Sequence, residues 1–196
     1  MSSKQTRKSS RLRLAAARLL IVGVSIMIIL AAIELGLRVS GFTFLNPYIA
    51  DPDVGFALRP RAEGWWRREG VQYIKINSAG LRDREHSIEK PAGTIRIAVL
   101  GDSFTEAFDV EMKDAFWAVM ERNLQNCAAL SGRKVEVLNF GVAGFSTARE
   151  LIMLRKRVWQ YAPDIVVLNF TTINDVKDNS MVLNPEYAGQ PIPYFV

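Results

Sequence analysis

Between Thr94 and Phe170 short β-branched runs alternate with longer helical stretches, and this alternation limits the possible folds more than any other feature of the chain. Thr94–Leu100 (Thr-Ile-Arg-Ile-Ala-Val-Leu) reads as a strand, residues 113–130 as a helix and Lys134–Asn139 as a second strand. A second helix runs from Thr147 to Tyr161 and stops before Pro163; Asp164–Phe170, nearly all apolar, is the third strand. Strand, helix, strand, helix, strand with short connections specifies an α/β domain with a parallel sheet. A strand apolar on both faces is expected in the middle of that sheet, with helices on either side.

Each strand is followed by a polar loop. These are Gly101-Asp102-Ser103-Phe104-Thr105, then Gly141-Val142-Ala143-Gly144, then Thr171-Thr172-Ile173-Asn174-Asp175. Open parallel sheets bind ligands beyond the carboxyl ends of their strands, so the three loops converge on one edge. Singly, Gly-Asp-Ser is an ordinary tight turn and Asn-Asp a helix cap; three in register are harder to dismiss. The first loop is not the Gly-x-Ser-x-Gly nucleophile elbow, since position 105 is Thr, and it lacks the Gly-Lys-Ser/Thr of a phosphate-binding loop.

These residues carry a resemblance. Gly101-Asp102-Ser103 is similar to the first motif of SGNH/GDSL hydrolases. Asn139 to Gly144 resembles the second motif. Thr172-Ile173-Asn174-Asp175 resembles the third, with Thr172 standing where the family usually has Gly. Asn77-Ser78-Ala79-Gly80-Leu81-Arg82 looks like the lead-in of membrane-anchored bacterial members. The resemblance covers about Pro52 to Val196 and implies a flavodoxin-like three-layer αβα sandwich, present here in part. It implies that Ser103 Oγ attacks an ester carbonyl, with an oxyanion hole made by the Ser103 N–H, the Gly144 N–H and the Asn174 amide. Gly101 is expected to take the tight conformation after the strand, and glycine at 144 to let the backbone approach substrate without a Cβ. Asp102 reads as a turn or capping residue, and Asp175 as a stabiliser of its loop.

A serine nucleophile needs a base oriented by a third group. The family supplies a His from an Asp-x-x-His motif near the C-terminus. The one histidine here, His86, precedes the first core strand among Asp83, Arg84, Glu85 and Ser87, which read as a solvated loop. The tail Asn184–Val196 has three prolines and reads as the middle of a domain. The expectation is a truncated chain, 93–196 being the N-terminal part of the hydrolase domain, without its base and inactive or nearly so.

Residues 1–18 carry six basic side chains and no acid, while the remainder holds 19 basic and 20 acidic residues. The net charge of +5 therefore describes a tail, and the electrostatic case for nucleic-acid binding falls away. No charge interrupts Leu19–Ile33, and the apolar stretch 14–39 exceeds the roughly 20 residues a bilayer needs. The preceding basic residues place the N-terminus in the cytoplasm and everything after Gly41 outside, periplasmic in a Gram-negative cell and otherwise extracellular. A signal peptide cleaved after Val39-Ser40-Gly41 is the rival reading; both export the domain. Residues 42–92 read as a connecting region with one strand at Val71–Ile76. Its Trp65 and Trp66 suggest a sugar platform, a membrane contact or, as preferred here, a cover for the domain edge. Cys127 is the single cysteine and is expected to be a small buried apolar residue. One Cys, one His and no calcium-type loop give no metal site, and no cofactor is expected.

Three functions remain open on these residues: an exported, membrane-anchored esterase acting on acyl or acetyl esters of carbohydrate or lipid, a polysaccharide O-acetyltransferase component using the same serine, and a tethered binding module without catalysis.

Overall fold

The computed structural model describes residues 3–40, 45–68, 70–130, 132–185 and 192–194; the side chains of residues 3–12 and of Asn174 lie outside the described set. The basic side chains Lys4, Arg7, Lys8 and Arg11, the junction residue Gly41 and much of the Pro-rich tail therefore fall outside it as well. The chain divides into two compact units, residues 1–43 and 44–196.

The first unit is one helix, α1 (Ser3–Val39). Its segment Arg13–Val39, 27 residues, is long and apolar enough to cross a bilayer. Its described side chains are all exposed, and Glu34 near the far end is paired with Arg38 one turn later at 2.7 Å.

The second unit begins with two antiparallel hairpins, β1 (Tyr48–Asp51) with β2 (Gly55–Leu58), and β3 (Glu63–Trp66) with β4 (Gln72–Lys75). Three strands follow: β5 (Thr94–Gly101), β6 (Lys134–Asn139) and β7 (Ile165–Asn169). They form a parallel sheet in the order β6-β5-β7. The expected alternation is present, but its centre is not the expected strand. All eight residues of β5 are buried, whereas Ile165 and Leu168 of β7 are 49% and 44% exposed. β5 carries the charged Arg96, which lies fully buried. It is absorbed because its register partner on β6 is Glu136, which accepts from Arg96 Nε and Nη2 at 3.0 and 2.8 Å. Nη1 donates to the carbonyls of Ile88 and Tyr161. A buried charge is tolerable only when paired and hydrogen-bonded in this way.

Alternate residues of β5 enter two different cores, as the period of a strand requires. Ile95, Ile97 and Val99 pack with Val135, Val137 and Trp117. Ala98 and Leu100 pack with Leu138, Phe140 and Met153, and with Val54, Leu58, Trp66 and Ile74 from the hairpins. Fully burying such a side chain stabilises by about 1.5–3 kcal/mol, so residues 45–76 belong to this core.

The predicted helix over 113–130 is in three pieces: a 3₁₀ turn Met112–Asp114, α3 (Phe116–Gln125) and a 3₁₀ turn Ala128–Leu130. Ala115 between the first two is extended, which lets Trp117 reach inward. The helical run from Thr147 is continuous to Tyr161, as α4 (Thr147–Met153), a π turn and a 3₁₀ turn ended by Ala162 in the left-handed region. Cys127, expected to be buried, is exposed, because α3 has already closed at Asn126. The tryptophan pair splits: Trp66 is buried on Phe108, with ring centroids 5.1 Å apart, while Trp65 faces outward beside Tyr73.

Candidate functional site

In the sheet register Val99 lies opposite Asn139 and Gly101 opposite Asn169, so the loops after β5, β6 and β7 leave from one edge. Ser103 opens the single helical turn α2 (Ser103–Glu106). Asp102, fully buried, is its N-cap, and Asp102 Oδ1 accepts from Phe104 N at 3.0 Å. The turn closes at Ala107, which holds φ 57° and donates to the Ser103 carbonyl at 2.8 Å. A non-glycine residue in that region is strained, and it bends the chain so that Phe108 drops into the core.

Gly101 does not adopt the left-handed conformation. Glycine is required there for space: a Cβ would lie 2.1 Å from Thr105 Oγ1. Gly141 is packed even more tightly, with Thr105 Cβ at 2.5 Å and Glu106 N at 2.6 Å from a Cβ. Thr105, fully buried, is thus wedged between Gly101 and Gly141. Its Oγ1 accepts from Asn169 Nδ2 at 3.0 Å and its carbonyl from Trp117 Nε1 at 3.1 Å.

Asn139 ends β6 and fixes the second loop through its own side chain. Oδ1 accepts from Gly141 N at 2.9 Å and Nδ2 donates to the Arg82 carbonyl at 3.1 Å. Gly144 has φ 74°, where a side chain would be strained, and its carbonyl accepts from Arg149 Nη1. In the third loop Asp175 Oδ2 accepts from Thr171 N, the stabilising role expected of it. The backbone of Asn174 begins α5 (Asn174–Lys177); its side chain lies outside the described residues.

Ser103 and Gly144 meet on one cleft of about 900 Å³, walled by Tyr48, Phe56, Trp66 and Phe108, with Arg68 and Asp109 among its charged residues. Among the described residues, no acceptor is paired with the N–H of Ser103 or of Gly144, and the Ser103 hydroxyl has no partner. Two backbone N–H groups and a serine hydroxyl therefore belong to residues that line one opening.

His86 is not part of that cleft. Its side chain is also not solvated: it is 2% exposed, with Nε2 3.1 Å from Asp83 Oδ2 but off the hydrogen-bonding direction. Of the neighbours that suggested a solvated loop, Arg84, Glu85 and Ser87 are indeed exposed, and Asp83 is buried. Asp83 accepts from Asn139 N, Arg84 pairs with Glu121, and Glu85 accepts from the Ser78 hydroxyl.

Two buried carboxyl groups, Glu106 at the end of α2 and Glu150 within electrostatic reach of Asp102, were not singled out by sequence reasoning. Glu106 accepts from the Tyr48 hydroxyl at 2.9 and 3.1 Å and from Ala143 N at 3.1 Å. Burial pushes its pKa up to about 7; the Ala143 N–H, the Tyr48 hydroxyl and Arg82 oppose the rise, while Asp102 adds to it. Glu150 of α4 has no hydrogen-bond partner for either oxygen among the described residues. Burial, with Asp175 and Asp102 close by, pushes it up to about 8. Arg82 is buried as well; it donates to the carbonyls of Glu106 and Val110, and burial lowers it to about 10. Among the described residues no group of three or more His, Cys, Asp or Glu side chains is arranged to hold a metal ion.

Comparison with protein-family models and with curated protein sequences returns no match, so the reading of this site stands on its own geometry.

Proposed function

We propose that this chain carries the nucleophile side of an SGNH/GDSL-type serine esterase, acting on acyl or acetyl esters of carbohydrate or lipid outside the cytoplasmic membrane. One observation carries the reading: Ser103 shares a cleft with Gly144, and among the described residues its hydroxyl and the N–H groups of both residues have no partner. Ser103 Oγ attacks the ester carbonyl and the two N–H groups receive the oxyanion. The family resemblance adds the Asn174 amide as a third donor. Removing one such donor typically costs 10²–10³ in rate, about 3–4 kcal/mol. No histidine lines the cleft, so turnover by these 196 residues is expected to be slight while Ser103 remains open to activated acylating reagents. The parallel sheet, with α3 on one core and α4 on the other, is consistent with the three-layer αβα sandwich that the resemblance implies. The apolar helix, preceded by basic residues, supports a single-pass anchor with a cytoplasmic N-terminus.

The test is treatment of the full chain in detergent micelles with p-nitrophenyl acetate and added imidazole, which supplies the base that no residue lining the cleft offers, followed by peptide mapping for acetyl label. Label on Ser103, absent in Ser103→Ala, is the expected result. Equal labelling of the two proteins would refute the assignment. An O-acetyltransferase would use the same serine and is told apart by transfer of acetyl to a sugar hydroxyl in place of water.

A further inference from the structure

We infer that Glu106 is a positioning residue: its carboxylate holds the Ala143–Gly144 segment in place and so fixes the Gly144 N–H on the cleft that Ser103 opens. The role in catalysis rests on the esterase reading above; the hold on the loop does not.

Glu106 is tied from three directions. Its backbone is fixed by Arg82 Nη1 on its carbonyl and by the closure of α2 at the strained Ala107. Its side chain, lining the cleft but almost wholly buried, receives the Tyr48 hydroxyl from β1 and the amide of Ala143 from the loop after β6. Ala143 is the residue before Gly144. Gly144 is further held by Arg149 on its carbonyl. The N–H of Gly144 has no acceptor among the described residues, while both flanks of that residue are tethered. A donor that must meet a developing charge gains from being held in advance, and these bonds supply the holding.

The charged and titratable groups facing the carboxylate are Tyr48 from β1, Arg82 from the loop before β5 and Asp102 from the turn after β5. Asp109 and Arg68 lie on the same cleft. The Ala143 bond favours the ionised form of Glu106, and by reciprocity ionisation tightens that bond. A carboxylate is about twice as strong an acceptor as a neutral group. The grip on the loop therefore strengthens as pH rises through the titration of Glu106, near 7.

The experiment is amide exchange at Ala143 in the full chain in detergent micelles, read by electron-transfer fragmentation and corrected for intrinsic rates. It is run from pH 6 to 8.5 on wild type, Glu106→Ala, Glu106→Gln and Tyr48→Phe. In wild type, protection of Ala143 is expected to rise across neutral pH. In Glu106→Ala exchange is faster by about ten- to hundredfold. In Glu106→Gln, which keeps an acceptor oxygen, partial protection remains and no longer depends on pH. Should Glu106→Ala not fold, the flat profile of Glu106→Gln decides. Exchange in Glu106→Ala equal to wild type, or a pH-dependent profile persisting in Glu106→Gln, overturns the inference. Acetylation of Ser103 by p-nitrophenyl acetate with added imidazole, on the same proteins, separates the two readings. Slower labelling alongside faster exchange supports positioning, and unchanged labelling with a released loop overturns it. Failure to label wild type, with the exchange pattern intact, sinks the esterase reading and leaves the hold on the loop supported.

Discussion

The packing of Thr105 between two glycines makes a quantitative prediction. In Gly101→Ala the new Cβ meets Thr105 Oγ1 at 2.1 Å and Thr105 Cβ at 2.9 Å. The hydroxyl cannot rotate away without breaking its bond from Asn169 Nδ2, and Thr105 is fully buried. Overpacking of a core costs about 1–3 kcal/mol and a lost hydrogen bond about 1, so Gly101→Ala is expected to destabilise by about 2–4 kcal/mol. For a chain of this size that lowers Tm by about 5–15 °C. The four tryptophans all lie in the second unit, and Trp117 donates to the Thr105 carbonyl. Tryptophan emission during heating of the full chain in micelles therefore reports this unit and not α1. Thr105→Ala removes the atom at 2.1 Å, so Gly101→Ala with Thr105→Ala should cost about 1–2 kcal/mol less than the sum of the single changes. At Gly141 the obstacles are Thr105 Cβ and the backbone at 2.5–2.6 Å, which Thr105→Ala leaves in place; there the second change should give no relief. If Gly101→Ala melts with wild type, or if Thr105→Ala relieves both glycine variants equally, the packing argument is wrong.

Three further outcomes are expected. Glu136→Gln leaves Arg96 buried without its counter-charge and should cost about 3–5 kcal/mol in urea unfolding; a loss under 1 kcal/mol would show that the carbonyls of Ile88 and Tyr161 suffice. Glu150 is raised to about 8 in the folded state, so the folded chain holds a proton that the unfolded chain has released. Its contribution is whole below about pH 4.5 and is lost as pH rises through 8, which makes Glu150→Gln more stable than wild type at pH 8.5, by an amount on the order of a few kcal/mol, and near-equal at pH 5. A difference in Tm that does not change across that window contradicts the assignment. Cys127, exposed after the end of α3, should react with a thiol reagent stoichiometrically in the native chain; reaction only in denaturant would put it back in the core.

The sheet was legible because its signals are local. Lys134–Asn139 alternates and is rich in β-branched residues, and its observed limits are those read from the sequence. The order of strands was not legible in the same way. The central strand β5 holds the buried Arg96 because Glu136 sits opposite it, and that pairing spans 40 residues. The first hairpin gave no pattern at all. β1 and β2 have four residues each, too short for alternation to stand out, and they are held by partners far along the chain, such as Arg149 donating to the Val54 carbonyl 95 residues away.

The site divides along the same line. Ser103 and Gly144 follow their strands directly, so motif spacing was enough to bring them to one edge. What holds them there is a set of buried charges, and burial of a charge is the property that composition conceals. Asp83-Arg84-Glu85-His86 reads as solvated because four ionisable side chains in a row ordinarily are. Arg84 and Glu85 do stay exposed, but Asp83 is buried on Asn139 N, 56 residues away, and the His86 side chain is buried beside it. Glu106 is the same case at the cleft: its hydroxyl partner is 58 residues upstream and its amide partner 37 downstream. A carboxylate three positions after a serine gives no warning of either. A buried charge survives only with a committed partner, so such residues join segments remote in sequence. The turn that presents Ser103 can be read from a few neighbouring letters; the bond that holds Ala143 beside Gly144 is long-range, and only the folded chain displays it.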